Sequence, residues 1–252
     1  MTLKKIDEIT IIGPGLIGSS LGIALKKKKI ARKIVGIDIS KKNLDDALKN
    51  KSIDEARLVI DKRIERSKVI FISSPVSLIN KIALNVFPFL SEDSIVTDVG
   101  SVKNCYSQKT IQMFKKKSFL LPGHPIAGTE HSGARSAKSD LFEKKWCILT
   151  PIKKDKNKIS VISNIWKKIG MKISIMTANE HDKIMSITSH LPHLIAFTIV
   201  GTAFKIDVKK KKELINFSAG GFKDFTRIGS SDPKMWVDIF NYNKKYILRT
   251  LD

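Results

Sequence analysis

The chain has 252 residues, 42% of them hydrophobic and 7% aromatic, with a formal net charge of +22; such a composition is that of a globular protein with one large domain or two small ones. No apolar run approaches the ~18 residues of a membrane span, and Met1-Thr2-Leu3-Lys4-Lys5 does not begin a signal peptide. Two isolated cysteines, Cys105 and Cys147, make neither a disulfide framework nor a metal cage, so a cytoplasmic protein with no membrane partner is expected.

Residues Glu8 to Ile12 read as a buried strand and run directly into Gly13-Pro14-Gly15-Leu16-Ile17-Gly18. Leu21, Ile23, Ala24 and Leu25 then space a helix over Ser19 to Lys28. This is G-x-G-x-x-G between a strand and a helix, the context that gives the motif its meaning. Gly13 makes the turn, Gly15 lets the backbone approach a pyrophosphate, and Gly18 lets helix and strand close up. The helix N-terminus at Leu16 and Ile17 offers free N–H groups and a positive dipole end. A second strand, Lys33 to Ile37, ends in Asp38, twenty residues after Gly18, where the fingerprint places an acid for the ribose hydroxyls. A carboxylate there repels a 2′-phosphate, so NAD is favoured, while Ser40, Lys41 and Lys42 keep NADP possible.

Strand and helix continue to alternate. Lys68 to Ile72 is a strand ending in Ser73-Ser74-Pro75, which makes Ser74 a cofactor-binding candidate, and Ser77 to Leu84 is a helix. Ser94 to Asp98 ends in Val99-Gly100-Ser101-Val102-Lys103, followed by a helix from Asn104 to Phe114. Phe119 to Leu121 leads into Gly123-His124-Pro125-Ile126-Ala127-Gly128-Thr129-Glu130-His131-Ser132-Gly133, and Trp146 to Thr150 and Lys172 to Met176 supply further strands. The alternation predicts an α/β fold, a Rossmann-type doubly wound and mainly parallel sheet with ligands at the strands' C-terminal ends. Asp98, Ser101 and His124 fall at such ends. A strand ending in a turn that holds one imidazole is a way to present an acid or base.

The pattern changes near Ala178. Glu180 to Phe204 reads as one long helix interrupted at Ser189-His190-Leu191-Pro192-His193, with Pro192 expected to kink or break it. Asp232 is an N-cap candidate for a last helix with Pro233 at its first position. Residues 1–177 are therefore expected to form a dinucleotide-binding domain, and 178–252 an all-helical domain for substrate and dimerisation. The lysine runs fall at helix ends and loops, without the interleaved aromatics of a single-strand platform. No nucleic-acid partner is expected; the positive field favours small anions entering a cleft. His181, His190 and His193 lack matched carboxylate or cysteine ligands, so no metal is expected either.

Gly13 to Ser19, Asp98 to Lys103, Gly123 to Gly133, His181-Asp182, Ser189 to His193 and Gly221 to Trp236 together resemble the prephenate and arogenate dehydrogenase family of tyrosine biosynthesis, in order and over almost the whole chain. The resemblance implies NAD-dependent oxidative decarboxylation of a cyclohexadienol acid, prephenate or arogenate, by a homodimer. It makes His124 the base at the ring hydroxyl, with Ser101 orienting it or sharing that hydroxyl. It makes Arg227 a carboxylate clamp and His193 a second carboxylate contact, and places Thr129 and Glu130 at the mouth. Family members commonly continue with more helix past the point matching Asp252. Two other readings stay open: a β-hydroxyacid dehydrogenase using Lys183, and a nucleotide-binding protein without catalysis.

Overall fold

The computed structural model describes residues 4–129, 131–205 and 213–251. Its main sheet has six parallel strands, β1 (Ile6–Ile12), β2 (Ala31–Ile37), β3 (Glu55–Arg57), β4 (Val69–Ile72), β5 (Ile95–Asp98) and β6 (Phe119–Leu120), in the order β3-β2-β1-β4-β5-β6. β4 and β5 are buried at every residue, as strands covered on both faces must be. The helices between them are α1 (Leu16–Lys27), α2 (Lys41–Lys49), α3 (Val76–Val86) and α4 (Gln108–Lys117). The strand order reverses between β1 and β4, which are neighbours; the crevice at such a switch point is where doubly wound sheets bind ligands. Here it lies beside the Gly13–Gly18 loop.

The later strands do not join this sheet. β7 (Gly123–Pro125), β8 (Trp146–Leu149) and β9 (Lys172–Ile175) form a separate sheet, β7 antiparallel and β9 parallel to β8, with α5 (Lys156–Lys168) before β9. Pro122 is the point of departure. Leu121 still donates to the Val96 carbonyl, whereas Pro122 has no N–H to give, and its carbonyl accepts from Thr150 instead. His124 therefore sits within a strand, opposite Ile148, rather than in the turn expected after one.

The C-terminal region is helical: α6 (Ala178–Met185), α7 (Leu191–Phe204), α8 (Gly220–Ile228), α9 (Pro233–Tyr242) and α10 (Lys244–Leu251). Thr177 and Glu180 close a capping box on α6, and the Asp232 side chain caps α9 through the Lys234 N–H. Pro192 does not break the long helix. A π-helical turn, Ser186–His190, joins α6 to α7, and the proline falls in the first turn of α7. Trp236 and Ile239 of α9 are buried in the same apolar cluster as Val76 and Ile79 of α3. Asp238 accepts from the hydroxyl and backbone N–H of Ser77, at an α3 N-terminus with no cap of its own.

By length and composition, Ala178–Phe204 could cross a membrane, since Ser, Thr, His and Pro interrupt its apolar run without making it polar. Its first turns are instead tied into the fold by the fully buried His181 and Asp182. α7 buries only Ala196 and leaves Ile195 and Phe204 exposed.

Candidate active site

The β5–α4 connection and β7 converge on one buried polar cluster. Lys103 Nζ donates to Asp98 Oδ1 and to the Gly123 carbonyl, with lysine and aspartate side chains both at 0% exposure. Asp98 also accepts from the Gly100 N–H and the Tyr106 hydroxyl, both at 2.8 Å. The end of β5 and the start of β7 are thus bridged by one ammonium, ion-paired to Asp98 and hydrogen-bonded to the residue before His124. His124 Nδ1 lies 2.8 Å from His181 Nε2, and His181 Nδ1 lies 2.7 Å from Asp182 Oδ1. Asp182 accepts three further bonds: from Lys103 N and Asn104 N at 2.8 and 2.9 Å, and from Asn104 Nδ2 at 2.8 Å.

Burial pushes His124 well below its ordinary pKa, and the neighbouring His181, Lys103 and His190 push the same way. Burial also lowers His181, against the pull of Asp182. Asp182 itself ends below the usual carboxylate range: its burial opposes ionisation, but the His181 bond and the two backbone donors outweigh it. His190 is lowered to about 4 by burial; Asn243 Nδ2 stands 2.8 Å from its Nδ1 and also donates to the Asp182 carbonyl at 2.8 Å. His193 donates from Nδ1 to the Ser189 carbonyl at 2.8 Å and stacks on Trp236, centroids 3.7 Å apart.

The glycine loop fits a dinucleotide's phosphates. Gly13 has φ +84°, and a Cβ there would stand 2.8 Å from both the Ser73 carbonyl and Ser74 Oγ. A Cβ at Gly18 would stand 2.5 Å from the Gly13 carbonyl, whereas one at Gly15 would meet nothing within 4 Å. The space is therefore on the Gly15 side, over an α1 N-terminus that has no side-chain cap and no acid in its first turn. That end attracts anions. Half-buried Asp38 is already oriented, accepting from Ser40 N at 2.8 Å and from Asn43 Nδ2 at 3.2 Å.

Not every expected residue joins the cluster. Ser101 is half-buried on the β5–α4 loop, with its carbonyl toward His190; the hydrogen bond that His124 makes goes to His181. Thr129 is half-buried and accepts from the His131 N–H at 3.3 Å. Arg227 is 71% exposed on α8, 3.5 Å from Asp224. Among the described residues, neither Arg227 nor Thr129 has a hydrogen bond to His124 or its partners. Glu130 lies outside the described residues. Lys183 is exposed, beside the buried His181 and Asp182. Roles for His181, Asp182 and Lys103 were not legible in the sequence. The one local sign is that His181-Asp182 directly follows the Thr177-x-x-Glu180 capping box, on a helix beginning where the last strand ends.

Comparison with known proteins places these features in a family. Residues 21–175 match the model of the prephenate dehydrogenase nucleotide-binding domain, and residues 177–252 match that of the prephenate dehydrogenase dimerization domain. A cyclohexadienyl dehydrogenase of Zymomonas mobilis subsp. mobilis is 34% identical, over 100% of this chain and 85% of that protein. A prephenate dehydrogenase of Bacillus subtilis is also 34% identical, over 98% of this chain and 67% of its own length. The crystal structure of prephenate dehydrogenase from A. aeolicus in complex with hydroxyphenyl propionate and NAD+ superposes with a TM-score of 0.90 at 36% identity, covering 99% of this chain and 87% of that one. With two matched domains end to end and a shared fold along its length, the chain belongs to the prephenate dehydrogenase family.

Proposed function

We propose that this chain catalyses the NAD-dependent oxidative decarboxylation of prephenate to 4-hydroxyphenylpyruvate, on the way to tyrosine. One observation carries the reading: a buried imidazole, held neutral, sits in β7, tied through Lys103 to the C-terminal end of β5, in the sheet whose first βα turn is built for a diphosphate. The relatives named above act on prephenate or on cyclohexadienyl acids, and the A. aeolicus enzyme was crystallised with NAD+.

Gly13, Gly15, Leu16, Ile17, Gly18 and Ser74 would hold the diphosphate, and Asp38 the ribose hydroxyls, favouring NAD over its 2′-phosphate. NAD held there would supply the hydride acceptor as the ring becomes aromatic. The protein's own part is position and charge. His124, neutral at physiological pH, receives the proton of the ring hydroxyl as a general base. Ser101 shares that hydroxyl. Arg227, whose exposed pair with Asp224 is worth little, has a guanidinium free to clamp a carboxylate bidentately. His193, braced flat on Trp236, is the second carboxylate contact, and Thr129 lines the mouth. The apolar residues that α7 exposes are covered in a homodimer, in keeping with the match to a dimerization domain. Free, buried Cys105 and Cys147 fit a reducing cytoplasm.

The test follows the absorbance of reduced nicotinamide with purified protein, prephenate or arogenate, and NAD or NADP. Turnover of prephenate with NAD supports the reading, and turnover of arogenate alone changes the substrate but keeps the chemistry. Silence in all four mixtures with NAD still bound would leave a binding protein. Full turnover by a His124→Asn variant would remove His124 from the mechanism, since a general base is worth roughly 10²–10⁴-fold.

A further inference from the structure

We propose that His181, held by Asp182, is a positioning residue that fixes His124 as its Nδ1–H tautomer and so leaves Nε2 bare to act as the base. The logic runs inward from Asp182. Its two oxygens accept from Lys103 N, Asn104 N and Asn104 Nδ2, an array of donors that only an ionised carboxylate satisfies fully. Facing such a carboxylate at 2.7 Å, His181 Nδ1 must carry a proton. Full burial disfavours a second proton on that ring, and the Lys103 ammonium close by repels one. His181 Nε2 therefore has only a lone pair to offer, and the 2.8 Å contact forms only if His124 Nδ1 donates. A neutral His124 that spends its one N–H in this way has an unprotonated Nε2.

Without this chain, both tautomers of His124 would be open, and the Nε2–H form cannot accept a proton where the substrate needs it. The arrangement also prepares for the product state. Once Nε2 has taken the proton, the imidazolium keeps donating through Nδ1 to His181, and the Asp182 carboxylate stands one ring away to balance the charge. The groups that face His124 electrostatically are His181, Lys103 and His190, and none of them supplies a rival acceptor for Nδ1. His181 touches no substrate in this scheme; it acts through His124.

The base role rests on the function proposed above, but the tautomer does not, and the first experiment separates the two. Two-bond ¹H–¹⁵N correlation spectra of ¹⁵N-histidine-labelled protein, without substrate, report which ring nitrogen of each of the five histidines is protonated. The proposal expects Nδ1–H with bare Nε2 for His124 at neutral pH; Nε2–H for His124 overturns it, whatever the substrate proves to be. In turnover, His181→Leu removes the acceptor, whereas His181→Gln keeps an oxygen near the Nε2 position. The expected result is a fall in kcat of at least about 100-fold for Leu with KM within a few-fold, and rescue to within about 10-fold by Gln, the scale on which a misoriented base costs rate. Equal losses in both variants, or full kcat in His181→Leu, overturn the positioning role. Asp182→Asn, whose amide can donate to His181 Nδ1, is expected to turn His124 over to Nε2–H in the same spectra; an unchanged tautomer in that variant counts against the chain of reasoning.

Discussion

Replacing Lys103 with methionine tests how the site is held. The side chain has 0% exposure, and its ammonium is the cation paired with Asp98, itself fully buried. Methionine refills most of the volume, so little of the effect comes from a cavity. What remains is a buried carboxylate whose other donors are the Gly100 N–H and the Tyr106 hydroxyl. Stranding one member of a buried ion pair costs ~3–5 kcal/mol. For a chain of this size that is a large share of a typical 5–15 kcal/mol and lowers Tm by on the order of 10 °C. Urea unfolding followed by circular dichroism measures it directly. The second arm adds Asp98→Asn, which removes the stranded charge while its side-chain oxygen still accepts; the double variant should recover at least half of the loss. A single-variant loss below about 1 kcal/mol, or no recovery in the double, would refute the ion pair as what holds the Lys103 bridge between β5 and β7.

Three other outcomes follow from the same structure. Burial depresses His124, His181, His190 and His193 below their ordinary value, so each binds its proton more weakly in the folded chain than in the unfolded one. Stability should therefore be full above about pH 6.5 and decline as pH falls. His190, at about 4 when folded, alone removes about 2 kcal/mol by pH 5, and a flat denaturation midpoint between pH 7 and 5 would contradict this. Asp38→Ala should raise the ratio of kcat/KM for NADP over NAD by about tenfold or more, the worth of one lost repulsion and its hydrogen bonds; paired initial rates with the two cofactors decide it. Ile195→Glu, on the exposed face of α7, should yield monomer in analytical ultracentrifugation where the unaltered chain gives dimer.

The nucleotide half was legible because its signals are local. The run from Glu8 through Gly18 states its own geometry, a strand giving way to an uncapped helix within a few residues, and Asp38 follows at a fixed offset. Pro122 shows where that legibility ended. The apolar segments at Trp146 and Lys172 look like further strands of the same sheet, and only the missing N–H at Pro122, with Thr150 bonding its carbonyl, diverts them into a second one. The three-residue β3, Glu55–Arg57, has no strand character of its own and exists by pairing with Val35–Ile37. The site divides in the same way. His124 stands out in a glycine- and proline-rich stretch, but His181 lies 57 residues away and became its partner only when α6 docked on the β5–α4 loop. Arg227 and Thr129, drawn from resemblance, pair within their own segments, with Asp224 and the His131 N–H, and among the described residues neither bonds to the His124 cluster. The kink or break expected at Pro192 does not fall there: the helix departs from α geometry just before it, in the π turn Ser186–His190, and runs on through the proline.

That π turn decides where the helix can change length. Ser186–His190 holds one residue more than an α-helix would need over the same rise. Deleting one of the five would restore plain α geometry with the phase nearly kept, because five residues wound this way turn through about the angle of four α residues, roughly 400°. His181 and Asp182 would stay in place, and His193 would stay on Trp236. A one-residue insertion or deletion in α6 after Asp182, or at the start of α7, has no such slack: it would turn all that follows by about 100° and swing His193 off Trp236. A change in length is thus absorbed inside this stretch and becomes a change of phase beside it.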